Sequence, residues 1–271
     1  MSLHAPTVEQ QALIDRISAL LRDEPRVGAA WLSGSLGKGQ GDAFSDVDFL
    51  AAVPDGAAAA VSADLAQRLS SVTTPVLVNN LFGGRVLNVI TEDWQRFDIS
   101  FTEDRELVFH DANGLKQLFN RIDRHPPAQP ERRYRTSPET LRKLVEEFIR
   151  VCGLTPVAVG RREYLLMLAG AQLLRQMTVD LMLEENGISP AARGGALHRN
   201  PFLSDEQRAA LEGAPPLVAT QGSAIEAHLY LAAVFLPRAR RLANEIGMDW
   251  PTAFEGATRR HLKMALGIDL P

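Results

Sequence analysis

The sequence lacks most features of secreted and membrane proteins. Its 271 residues include one cysteine, Cys152, so no disulfide can form within the chain and a buried structural thiol is expected. No apolar run reaches the ~20 residues that cross a bilayer. The first seven residues lack the charged and apolar parts of a signal peptide. We therefore expect a cytoplasmic protein that does not associate with membranes.

An excess of positive charge is also missing. The formal net charge is −4, with 29 lysines and arginines against 33 aspartates and glutamates. Binding to extended nucleic acid normally requires an excess of basic residues, so no such partner is expected. Hydrophobic residues make up 45% of the chain, which is typical of a globular protein, and the length allows two domains.

The N-terminal half alternates between helix and strand patterns. Apolar residues recur at helical spacing from Val8 to Leu21, and the alanine-rich segment 57–70 also favours a helix. Strand patterns cover residues 27–35, 46–53, 75–82, 85–91 and 96–102. Strands with flanking helices predict an α/β or α+β domain with a mixed sheet.

The C-terminal half has a helical pattern almost to its end. A proline-rich and arginine-rich segment, 123–137, is predicted to be a linker, which gives domains of residues 1–130 and 131–271. A long apolar helix should begin near Glu163 and end at Gly187, and a later helix is expected to kink at Pro237. This half is predicted to be an all-α helical bundle.

Two aspartates stand at the start of an apolar strand, in the stretch SDVDFL. Side chains alternate along a strand, so Asp46 and Asp48 should lie on one face while Val47 and Phe49 face a core. Two carboxylates on one strand face repel each other unless a cation lies between them. Oxygen ligands of this kind suit Mg²⁺, which keeps coordination positions for water and phosphate. The pattern therefore predicts a metal site.

A glycine-serine pair precedes these aspartates. Gly34 and Ser35 follow a predicted strand, and exposed backbone N–H groups at such a turn can bind phosphate. Ser35 adds a hydroxyl donor. Lys38 in the same loop either adds a positive charge to this site or is an ordinary solvated lysine.

A third acidic residue interrupts another apolar strand. In RFDISF, Asp98 projects from one face while Phe97, Ile99 and Phe101 pack on the other. A two-ion phosphoryl-transfer site needs a third carboxylate, which Asp98 could supply. The alternative is that Asp98 belongs to the exposed polar face of an edge strand.

At these residues the sequence resembles the nucleotidyltransferases of the DNA polymerase beta superfamily. The signature of that family is Gly-Ser, a short loop, Asp-x-Asp on a strand and a further acid on a nearby strand, here Gly34, Ser35, Asp46, Asp48 and Asp98. The SDVDF context is similar to the small-molecule branch, which includes antibiotic nucleotidyltransferases and antitoxins. The resemblance covers residues 29–102 and carries no motif of the helical half.

The resemblance implies a mechanism. Gly34 and Ser35 would hold the phosphates of a nucleoside triphosphate, most often ATP. Asp46 and Asp48 would bind Mg²⁺, with Mn²⁺ as a substitute. Asp98 would complete a second metal site or take the proton of a small hydroxylated acceptor. That acceptor would receive the nucleoside monophosphate with release of pyrophosphate.

The balance of basic and acidic residues in the C-terminal half indicates the charge of the acceptor. The chain after Leu144 has 13 basic and 14 acidic residues, and Glu184 and Glu185 are expected to be solvated near a helix end. A nearly neutral acceptor with some apolar surface fits better than a polycation.

Two other functions remain open at the sequence level. A metal-dependent glycosyltransferase explains Asp46 and Asp48 but not Gly34, Ser35 or Asp98. A non-catalytic nucleotide sensor or antitoxin-like protein would bind the triphosphate without transfer.

Several other residues are weaker candidates. His198 with Arg193 and Arg199 either approaches the triphosphate or lies in an ordinary surface loop, and Glu163 is an auxiliary base or a helix-start carboxylate. Trp31 should be core, whereas Trp94 and Trp250 could stack on a base.

Overall fold

A computed structural model describes residues 6–130, 133–193 and 199–271. The chain divides into two compact units, which we call the N-terminal unit (Met1–Glu131) and the C-terminal unit (Arg132–Pro271). Within the described residues, no helix is long and apolar enough to cross a membrane.

The N-terminal unit is built on a six-stranded sheet in the described residues. Its strands are β1 (Ala29–Leu32), β2 (Val47–Val53), β3 (Pro75–Leu81), β4 (Val86–Thr91), β5 (Arg96–Glu103) and β6 (Lys116–Asn120). Its α-helices are α1 (Val8–Asp23), α2 (Gly34–Gly37) and α3 (Ala58–Arg68). Strand β6, which the sequence did not predict, forms one edge of the sheet by pairing with β1.

The sheet is mixed, with strand order β3-β4-β5-β2-β1-β6. Strands β2 and β5 are parallel neighbours, while the other neighbouring pairs are antiparallel. The β3-β4-β5 meander that the turns predict is therefore present, and its last strand lies beside β2. This pairing brings the start of β2 next to the start of β5.

Side-chain alternation gives the sheet two different faces. One face, with Val47, Phe49, Phe97 and Ile99, is completely buried against apolar residues of α1 and α3. Helix α1 has Thr7 as its N-cap, and the side chain of Thr7 forms a capping box with Gln10. On the opposite face a small apolar cluster covers part of β1 and β2, and includes Trp31 as predicted. The rest of that face carries polar residues and is partly exposed.

The C-terminal unit is helical in its described residues. Its helices are α4 (Pro138–Gly153), α5 (Thr155–Gly160), α6 (Tyr164–Glu185), α7 (Asp205–Glu212), α8 (Gln221–Ile246) and α9 (Thr252–Leu266). Helix α4 has Ser137 as N-cap and Pro138 at its first position, and α8 continues through Pro237 as one helix. Gly187, just beyond α6, has a φ of 69°, the left-handed conformation common after a helix end.

The core of this unit lies between α4, α6, α8 and α9. Phe148 and Phe235 stack at a centroid distance of 3.8 Å. Cys152 is buried among these side chains, and burial raises the pKa of its thiol to about 12, as expected for a structural cysteine.

The elements of the two units confirm the predicted fold class, a mixed-sheet α/β (α+β) region followed by an all-α region.

Candidate active site

Asp48 and Asp98 lie directly opposite each other on parallel neighbouring strands. Their Cα atoms are register partners in the β2–β5 pair, and both side chains project from the partly exposed sheet face. Asp46 lies one residue before β2, which begins at Val47 and not at Asp46 as predicted. It is exposed, whereas Asp48 is half-buried. The structure thus brings Asp98 to the paired aspartates.

The three carboxylates interact electrostatically at Asp48. Burial, followed by the negative charges of Asp46 and Asp98, raises the pKa of Asp48 to about 6. Without a cation, ionisation of this carboxyl is therefore less favourable than ionisation of an ordinary aspartate. A bound divalent cation would relieve both the burial penalty and the repulsion.

The carboxylates fit a hard cation that is shared with a ligand. Among the described residues, no three His, Cys, Asp or Glu side chains are arranged closely enough to hold a metal ion by themselves. Mg²⁺ commonly takes only one or two carboxylates and completes its coordination with water and phosphate oxygens. Asp48, together with Asp46 or Asp98, offers a donor set of that kind.

The glycine-serine turn is built against Asp48. Gly34 begins the short helix α2, has a φ of 59°, and would place a Cβ only 1.9 Å from Oδ2 of Asp48. The Ser33 N–H donates to the backbone carbonyl of Asp48 at 2.9 Å. A residue with a side chain could not occupy position 34 without moving the carboxylate. The turn and the candidate metal ligand are therefore in direct contact.

Ser35 and Lys38, the other two predicted phosphate contacts in this loop, have different surroundings. The hydroxyl of Ser35 makes no hydrogen bond within the described part of the chain and is accessible to a ligand. Lys38 is exposed, and its Cε lies near Gly114. The pKa of Asp111 is lowered by hydrogen bonds from the backbone of Gln129 and Asn113 and, to a smaller extent, by the charge of Lys38. Lys38 thus extends toward the 111–114 loop, and its role in nucleotide binding stays a prediction.

Two asparagines that the sequence did not single out extend from Asp98 across the sheet face. Asn88 of β4 is the register partner of Asp98 and donates from Nδ2 to its Oδ1 at 2.8 Å. Asn79 of β3 is the register partner of Asn88 and donates from Nδ2 to its Oδ1 at 3.3 Å. Each asparagine interrupts an apolar strand, and this was the signal that could have identified them.

The arginines flanking the weaker histidine candidate form ion pairs. His198 itself lies outside the described residues. Arg193 pairs with the buried Glu184, and Arg199 pairs with Asp180 at 2.7 Å, so both bind carboxylates of α6. Glu163 is the exposed N-cap residue of α6.

Glu184 and Glu185 are not solvated, contrary to the expectation from sequence. Glu184 is buried and also accepts a hydrogen bond from the Tyr134 hydroxyl at 2.8 Å. Glu185 pairs with Arg238 and Arg241 at 3.0 and 2.7 Å. Arg238 and Arg241 belong to α8, far from Glu185 in sequence, and Arg193 lies beyond the end of α6, so the pattern of α6 alone could not reveal the pairing.

The two tryptophans that could stack on a base have different environments. Trp94 is 73% exposed and has a φ of 60°. Trp250 donates to Glu255 at 2.7 Å, and the guanidinium of Arg240 lies 4.6 Å from its ring centroid. Trp250 therefore has a structural role, while Trp94 remains open to a ligand.

Comparison of the sequence with known proteins identifies no relative, since no protein-family profile and no curated protein matches it. In structure the chain is similar to an aminoglycoside 6-adenyltransferase from Bacillus subtilis, with a TM-score of 0.46, 16% identity, and coverage of 93% of this chain and 97% of that one.

Two further solved structures are similar to a lesser degree. A nucleotidyltransferase-like protein from Exiguobacterium sibiricum 255-15 has a TM-score of 0.33 and 14% identity, with 95% of this chain and 88% of that one covered. A cytoplasmic RNA terminal U-transferase has a TM-score of 0.31 and 13% identity, with 84% and 68% covered. All three TM-scores are below 0.5.

Proposed function

We propose that this protein is a metal-dependent nucleotidyltransferase that moves a nucleoside monophosphate, AMP from ATP, to a hydroxyl of a small molecule. The observation that carries the proposal is the meeting of Asp48 and Asp98 across the β2–β5 pair, with the Gly34 turn in contact with Asp48. A carboxylate with a raised pKa beside two others suits a divalent cation and its phosphate ligand.

Each residue of the site would have a distinct role in binding phosphate or metal. The turn at Gly34 and the hydroxyl of Ser35 bind phosphate oxygens, with Lys38 as a more distant positive charge. Asp46 and Asp48 would hold Mg²⁺ or Mn²⁺, and Asp98 would hold a second ion or accept the proton of the acceptor. The bound metal supplies neutralisation of the negative charge on the triphosphate.

The reaction requires little covalent participation by the protein. The acceptor oxygen forms a bond to the α-phosphorus, its proton passes to Asp98, and the bond from the α-phosphorus to the bridging oxygen breaks. Pyrophosphate leaves with that electron pair. Positioning and electrostatic stabilisation supply most of the acceleration in reactions of this type.

The charges of the C-terminal unit support an acceptor that is close to neutral. Its most buried glutamates are all paired with arginines: Glu184 with Arg193, Glu185 with Arg238 and Arg241, and Glu255 with Arg240 and Arg259. Carboxylates that are already paired contribute little attraction for a polycation. A hydroxylated acceptor with little charge and some apolar surface fits this balance.

The proposal is tested by measuring pyrophosphate release. Each nucleoside triphosphate is incubated with Mg²⁺ and a library of hydroxylated metabolites and antibiotics, using the parent protein and Asp48→Asn. We expect acceptor-dependent release by the parent only. Triphosphate binding without release across the library would favour a nucleotide sensor instead. Stabilisation by nucleotide sugars but not by triphosphates, in a thermal-shift assay with Mg²⁺ or Mn²⁺, would favour a glycosyltransferase.

A further inference from the structure

A row of four polar side chains crosses the partly exposed sheet face. Asn79, Asn88, Asp98 and Asp48 come from four adjacent strands and are successive register partners. Asparagine and aspartate are both unfavourable inside strands. Their alignment in one row therefore requires an explanation beyond the packing of the sheet.

The hydrogen bonds along this row have a defined direction. The Asn79 amide donates to the Asn88 carbonyl, and the Asn88 amide donates to Oδ1 of Asp98. Because the Asn88 carbonyl accepts from Asn79, the amino end of the Asn88 side chain faces Asp98. Oδ2 of Asp98 has no hydrogen bond within the described residues.

We propose that Asn88 is a positioning residue for Asp98, and that Asn79 in turn orients Asn88. The proposal rests on the proposed function and deepens it. The bond from Asn88 occupies Oδ1 of Asp98 and fixes the carboxylate plane, so that Oδ2 is presented to the acceptor hydroxyl. Outer partners that orient a reactive carboxylate or ligand are commonly required for full activity.

The neighbouring Asn80 provides a matched control. It lies on β3 next to Asn79, but its amide donates to Ser62 at 3.3 Å. Ser62 belongs to α3 and is completely buried on the other side of the sheet. Replacing Asn80 therefore removes an amide of the same type and the same strand without touching the row.

Kinetics distinguish positioning from a structural role. Asn88→Leu should lower kcat about 10- to 100-fold and leave the KM for the triphosphate nearly unchanged. Asn79→Leu should cause a smaller loss of kcat, and Asn80→Leu none. If Asn88 acts through Asp98, adding Asn88→Leu to Asp98→Asn should cause no further loss. Unchanged kcat in Asn88→Leu, or fully additive losses in the double variant, would overturn the proposal.

A second measurement does not depend on activity. In ¹H–¹⁵N spectra of the full chain, the Asn88 side-chain amide is identified as the pair of signals missing from Asn88→Leu. These signals should shift in Asp98→Asn and in Asn79→Leu, and stay in place in Asn80→Leu. An Asn88 amide that does not respond to Asp98→Asn would also refute positioning. If the parent transfers no nucleotide yet the amide responds, the proposed function fails while the contact stands.

Discussion

Gly34 and Asp48 approach so closely that a methyl group on the glycine would lie 1.9 Å from a carboxylate oxygen. The glycine also has a φ of 59°, which disfavours other residues. Two independent constraints therefore act on one position. The glycine-serine turn and the candidate metal ligand can be disturbed together by a single added carbon.

Gly34→Ala should consequently destabilise the protein more than replacement of a glycine that has only a positive φ. Gly39, in the same loop, has a φ of 68°, and no atom of the described residues lies within 4 Å of the place that an added methyl group would take. Gly39→Ala therefore measures the backbone cost alone, about 1–2 kcal/mol. We expect Gly34→Ala to lower the thermal midpoint further and to abolish pyrophosphate release. Equal midpoints for the two variants, measured by calorimetry, would show that the contact with Asp48 relaxes freely.

Asp48 should make the metal-free protein less stable as the pH rises. Its pKa is about 6 in the folded chain against an ordinary value of 3.8. A raised folded-state pKa favours folding at low pH, and this contribution is lost as the pH rises through about 6. In metal-free buffer, Asp48→Asn should therefore gain thermal stability relative to the parent as the pH rises from about 4 to about 6.

Asp46→Asn is the control for that titration, because Asp46 is exposed and its removal takes away only one of the repelling charges. It should give a smaller gain than Asp48→Asn. Melting curves from about pH 4 to about pH 8 measure both. A gain for Asp48→Asn that does not vary with pH would contradict the electrostatic explanation.

Comparing variants of Asp98 and Ser100 tests whether Asp98 takes part in the reaction or only lies on the partly exposed sheet face. Both project to the partly exposed face of β5, two residues apart. Asp98→Asn should lower kcat about 10²- to 10⁴-fold, as loss of a general base does, while triphosphate binding persists through the Gly34 turn and Asp48. Ser100→Ala should keep most activity. Equal tolerance at the two positions would move the third acid elsewhere, with Glu92, Asp93 and Glu163 as the next candidates.

The charge of the acceptor can be determined from kinetics at different salt concentrations. Neutral sugars, alcohols or lincosamide-like acceptors should be used with higher kcat/KM than polycationic aminoglycosides, because the buried glutamates of the C-terminal unit are already paired. The KM for the preferred acceptor should change little with ionic strength. Efficient use of a polycation, with a KM that rises steeply with salt, would refute this expectation.

Local patterns predicted most of the N-terminal sheet, and with it the three aspartates. The alternation of Phe97, Ile99 and Phe101 around Asp98 determines which face the carboxylate occupies. Strand β6 was missed because KQLFN is short and has little alternation, and it is held as a strand by pairing with β1. Tertiary contact, not local propensity, decides such a segment.

The site was predicted less completely than the fold. Spacing in sequence relates Asp46 to Asp48, but the alignment of Asn79 and Asn88 with Asp98 depends on the register of two strand pairs. The ion pairs of Glu185 with Arg238 and Arg241 likewise depend on the packing of α6 and α8. Information of this kind is distributed over distant residues and does not appear as a sequence motif.

The parallel pairing of β2 and β5 also affects the order in which the site can assemble during folding. Strands β3, β4 and β5 are joined by short turns, so Asn79, Asn88 and Asp98 can align through local hairpins. Asp48 joins them only when β2 pairs with β5, which closes a long loop that contains α3, β3 and β4. Closing such loops is slow, since the entropy is lost before the contacts form. The candidate site should therefore assemble late in refolding, after most of the strand signal has recovered.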